Sequence, residues 1–102
     1  MVPEIQYYEV HLTLEPVFDK KLEQMEKLCS KFGFKMAKLL MQKNRNVTAL
    51  RSNKDSFCTG RFETFADAYK QGTSLEDSMR KNGFKVWRFK IEAILHDKKY
   101  ER

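Results

Sequence analysis

Two stretches of this chain match at a spacing of 50 residues: "KFGFKMAK" at 31–38 and "KNGFKVWR" at 81–88. Each sets a glycine, Gly33 or Gly83, directly after a helix-like pattern and before a strand-like one. Glycine at that point stops a helix, because without a Cβ it takes the left-handed conformation at little cost. A repeat of this length in 102 residues leaves room for two copies of one supersecondary unit and one core.

The segments before the two glycines carry the helical period. In 19–32, Leu22, Met25, Leu28, Cys29 and Phe32 recur at three- and four-residue intervals, with Asp19 placed to cap the start. In 65–82, Phe65, Ala68, Tyr69, Leu75 and Met79 form a similar stripe. Gly72-Thr73-Ser74 interrupts it and predicts a kink or a restart at Ser74. Strand patterns flank the helices. "YYEVHLTLE" (7–15) sets Tyr8, Val10, Leu12 and Leu14 against Tyr7, Glu9, His11, Thr13 and Glu15. "SFCTGRFE" (56–63) sets Cys58 and Phe62 against Phe57, Thr59, Arg61 and Glu63. "VWRFKIEAIL" (86–95) sets Trp87, Phe89, Ile91, Ala93 and Leu95 against Arg88, Lys90, Glu92 and Ile94. The strand after Gly33, "FKMAKLLM", is less regular, as suits a sheet edge.

The order β-α-β, loop, β-α-β predicts an α+β, ferredoxin-like βαββαβ sandwich spanning 1–102 as a single domain. Its repeat units run from about 5 to 41 and 56 to 95, joined by a basic loop, 42–55. Right-handed crossovers put both helices on one face of a four-stranded antiparallel sheet, with the first and third strands central. Trp87 and the phenylalanines then face the helices as core, and the methionines Met25, Met36, Met41 and Met79 pack there too. The other sheet face stays open.

Net charge is +6, and it is unevenly spread. Residues 41–61 carry Lys43, Arg45, Arg51, Lys54 and Arg61 against Asp55 alone, whereas residues 1–40 balance six lysines with six acids. A local basic excess favours an anionic partner. No apolar run approaches the roughly 20 residues a membrane span requires, and "MVPEIQYYEV" lacks the basic and apolar regions of a secretory signal. No membrane partner and a cytoplasmic location are expected. Cys29 and Cys58 lack zinc-ligand spacing and are read as reduced, semi-buried thiols. No P-loop, Rossmann glycine pattern, nucleophile elbow or metal-ligand spacing occurs, so no cofactor and no metal are expected.

The predicted open face carries Glu9, His11, Thr13, Thr59, Arg61, Glu63, Arg88, Lys90 and Glu92. The strand ends that bear Thr13, His11, Thr59, Arg61 and Arg88 lie at the edge where the loop 42–55 enters, bringing Arg51, Ser52 and Lys54 near them. Arginine forks match phosphate oxygens, and hydroxyls add neutral donors. Arg51, Ser52, Lys54, Thr59, Arg61, Arg88 and Lys90 are therefore the candidate ligand or phosphate-binding residues. The competing arrangement is a solvent face on which Glu9, Glu63 and Glu92 pair with Arg61, Arg88 and Lys90.

His11-Leu12-Thr13, within "VHLTLE", resembles the HxT strand motif of the two-histidine phosphoesterases. That resemblance implies a phosphodiester substrate, with His11 as general acid or base and Thr13 as its companion in catalysis. The family carries two such motifs in two lobes; this chain is about half that length, and the repeat puts Arg61 where a second histidine would stand. His96, the other histidine, falls past the last strand pattern, far from His11. The leading expectation is a binder of a phosphorylated small molecule, nucleotide-like, or of an RNA end. The alternatives are a phosphodiesterase or cyclic phosphodiesterase using His11, and a protein-interaction or homodimerisation module using the open sheet face. "TGRFETF" echoes the RNA-recognition signature only faintly, leaving Tyr7 and Phe57 as the exposed rings for stacking.

Overall fold

The backbone pairing repeats the spacing seen in the sequence. In the computed structural model, which describes residues 4–36 and 55–96, Val10 lies opposite Gly60, 50 residues away. An approximate two-fold therefore passes through this pair, and the two half-chains are arranged about it. The elements are β1 (Tyr7–Leu14), α1 (Asp19–Lys31), β2 (Phe34–Met36), β3 (Ser56–Phe62), α2 (Phe65–Lys81) and β4 (Val86–Ile94). They build one antiparallel sheet in the order β2-β3-β1-β4. The chain has an α+β, ferredoxin-like fold. No helix among the described residues is long and apolar enough to cross a membrane.

The core lies between sheet and helices. Val10, Leu12 and Leu14 of β1 and Cys58 of β3 meet Met25 and Cys29 of α1 and Ala68, Leu75 and Met79 of α2, all almost fully buried. Each Val, Leu or Met side chain among them contributes about 1.5–3 kcal/mol by leaving water, which is why the alternation of Val10, Leu12 and Leu14 in β1 fixes which face the helices cover. Met36 packs partly against this core; Met41 lies outside the described residues. Ser56, buried at the start of β3, accepts the Val17 N–H at 3.1 Å and so satisfies a backbone donor beneath the helix layer. Cys29 and Cys58 are buried rather than half-exposed, and are free thiols. A hydrogen bond to Cys29 and burial push the Cys58 thiol well above its ordinary pKa, so it stays protonated.

Both glycine stops are present. Gly33 and Gly83 have φ of 82° and 85°. Four expectations need correction. Asp19 is not the cap of α1; Phe18 holds that position in an extended conformation with no side-chain cap, and Asp19 is the first helical residue, at φ 53°. α2 is neither kinked nor restarted at Ser74, but continuous over 17 residues. Gly72 sits in it because a Cβ there would come within 2.8 Å of the Phe89 ring and 3.0 Å of Val10. Glu63 falls beyond the end of β3. Trp87 is not core. The β1–β4 register slips by one residue between Thr13 and Leu14, so Leu14 pairs with Val86 and Thr13 with Arg88. Trp87 is the extra residue of this β-bulge and is 54% exposed.

Candidate functional site

On the sheet face away from the helices, the register sorts the polar side chains into rows across the strands. The first row is Phe57 of β3, Thr13 of β1 and Arg88 of β4. The second is Lys35 of β2, Thr59 of β3, His11 of β1 and Lys90 of β4. The third is Arg61 of β3, Glu9 of β1 and Glu92 of β4. Neighbours within a row have Cβ atoms roughly 5 Å apart, and successive rows stand about 7 Å apart along the strands.

His11 is the centre of the second row. Its Nδ1 lies 3.2 Å from the Thr59 hydroxyl. Its Nε2 lies 3.2 Å from Glu9 Oε1 and 3.2 Å from Glu92 Oε1. A bare nitrogen lone pair facing two carboxylate oxygens would be repelled, so Nε2 carries a hydrogen, an assignment that follows from the network. Glu92 Oε1 also takes the Lys90 ammonium at 3.0 Å. That hydrogen bond and charge, aided by His11 and Arg88, hold the Glu92 carboxyl below the usual carboxylate range. The arrangement explains how the sheet tolerates Glu9 directly opposite Glu92: two basic side chains sit against the acidic pair.

Thr13, His11, Thr59, Arg88 and Lys90 thus fall in two adjacent rows. Arg61 stands one row further from Thr13, where its guanidinium lies over the Tyr7 ring at 4.0 Å from the centroid. This covers Tyr7, which is only 9% exposed, so of the two rings expected on this face only Phe57, 42% exposed, is open for stacking. Glu9 and Glu92 engage His11 and Lys90 rather than Arg61 and Arg88 in the ion pairs of the described residues. Arg51, Ser52 and Lys54 lie outside the described residues. His96 is exposed past the end of β4, remote from His11 in the middle of β1. Sequence reasoning missed Lys35, whose pairing with Thr59 puts it on the open face. Local alternation held the signal, since Lys35 stands between apolar Phe34 and Met36. Among the described residues no group of three or more His, Cys, Asp or Glu could hold a metal ion.

No protein-family model matches the chain, and neither the curated proteins nor the solved structures contain a significant match.

Proposed function

We propose that the open sheet face binds a phosphorylated ligand of the nucleotide or RNA-end class. The observation that carries this reading is the first row, in which an exposed aromatic ring, a hydroxyl and an exposed guanidinium stand side by side across three strands. A base stacked on Phe57 would place its phosphate toward Thr13 and Arg88. Thr59, Lys35 and Lys90 of the next row would offer further donors to a second phosphate or to the next nucleotide. Stacking on an aromatic side chain contributes about 1–3 kcal/mol per base, and a charge-assisted hydrogen bond to phosphate about 1.5–3 kcal/mol. Glu9 and Glu92 are engaged by the His11 ring and the Lys90 ammonium, away from the first row, where the leading phosphate would sit.

Titrating the protein with nucleoside phosphates and with short RNAs bearing terminal phosphates tests the reading. Wild type should bind, Arg88→Ala and Phe57→Ala should each weaken binding roughly tenfold, and added salt should weaken it further. Absence of binding by the wild type, or equal binding by all three proteins, overturns the reading. Catalysis by His11 is a separate step. A substrate phosphate would first have to displace Glu9 or Glu92 from Nε2, and cleavage of a cyclic or linear phosphodiester that His11→Ala abolishes is its test.

A further inference from the structure

β4 forms one edge of the sheet: among the described residues no strand lies beyond it. It has nine residues, and from Arg88 to Ile94 its pairing with β1 is regular. A long regular edge presents a row of backbone donors and acceptors ready for another strand. The bulge at Trp87 shields only its beginning.

We propose that this edge pairs with the same edge of a second copy, joining two sheets into one of eight strands about a two-fold axis at Ile91. The choice of register follows from symmetry and charge. Two identical antiparallel strands related by a two-fold normal to the sheet must centre the axis on one residue facing its own copy. Centred on Lys90, the pairing opposes two lysines; centred on Glu92, it opposes two glutamates. Centred on Phe89, it sets Arg88 against Lys90 twice. Centred on Ile91, which is the midpoint of the regular segment 88–94, it sets Lys90 against the second copy's Glu92 twice and opposes no like charges.

The apolar pattern agrees with that register. On the helix-facing side Ile91 meets its own copy and Phe89 meets Ala93. Ala93 is exposed, and Phe89 and Ile91 are only partly buried against their own core. Just beyond the two ends of the segment, Trp87 of one copy and Leu95 of the other, both exposed, come within reach of each other. Both pairs of helices come to lie on one side, and the two open faces become continuous, with a ring of alternating charge at their join. The proposal concerns the strand edge and is independent of ligand binding, because its readout is mass alone.

Sedimentation equilibrium over about 1 µM to 1 mM, a span covering weak to moderate association, tests it. The wild type should show a mass twice the 12.2 kDa of the chain in the upper part of that range. Lys90→Glu and Glu92→Lys each set like charges opposite one another in both pairs and should each weaken self-association about tenfold or more. Mixing these two variants restores opposite charge at every one of the four positions and should give a heterodimer. The double exchange Lys90→Glu/Glu92→Lys should self-associate like the wild type. Circular dichroism confirms that each variant is folded, and if one single variant is not, loss of association in the other, with its recovery in the double exchange, decides. A wild type that stays monomeric throughout, a dimer indifferent to Lys90→Glu, or folded variants that do not associate on mixing would each overturn the proposal.

Discussion

His11 is held by three side chains from three strands: Thr59 from β3, Glu9 from its own strand, and Glu92 from β4. Its physical task follows from what would remain without it. The register sets Glu9 opposite Glu92, and like charges directly opposite destabilise a sheet by a few tenths to about 1 kcal/mol. His11→Ala should therefore lower stability in urea unfolding by about 1 kcal/mol. Glu9→Gln in the same protein should recover part of that loss, because only one carboxylate then needs a partner. A loss unaffected by Glu9→Gln would mean that His11 acts through packing instead. The face on which His11 lies was legible from alternation in "YYEVHLTLE". Its partners were not, since they depend on register across three strands, and a one-residue slip exchanges the faces. The same dependence hid the cover over Tyr7, which comes from Arg61 as a diagonal neighbour on β3.

The elements show which signals are local and which are not. The two helix stops and the alternation of β1 belong to the chain itself, so the order of elements could be read directly. Gly72 was misread because as a helix breaker it is a local signal, while its reason lies on β4 and β1, in the approach of Phe89 and Val10. Trp87 was misread because a bulge leaves the apolar pattern of β4 intact while shifting its first residues by one place. Gly60 is the counterpart of Gly72 within the sheet. A Cβ on it would come within 2.8 Å of the Phe62 ring and 3.0 Å of Phe34, two rings that pack together at 5.5 Å. Gly60→Ala should cost about 1–3 kcal/mol through forced repacking, read as a lower midpoint in thermal or urea unfolding. Replacing Phe62 with leucine in that background should return part of the loss.

At the scale of the whole molecule, the two halves follow one backbone plan with different chemistry at matching places. The repeat that carries His11 onto Arg61 also carries Glu9 onto Thr59, so a symmetric frame presents an asymmetric surface with a distinct direction. The frame was legible because fifty residues separate each feature from its copy; the ligand was not, because equivalent positions need not share a role. The strand ends carry a further consequence. The Gln6 N–H donates to the Ile94 carbonyl at 2.8 Å, so the chain enters and leaves the sheet at neighbouring points. The order of the halves along the chain is then a matter of wiring rather than of packing. A circular permutant that links residue 96 to residue 4 through a few glycines and serines, and opens between 37 and 54, keeps every strand pairing described above. It should unfold cooperatively, and loss of that transition would show that the original connectivity is itself needed to hold the halves together.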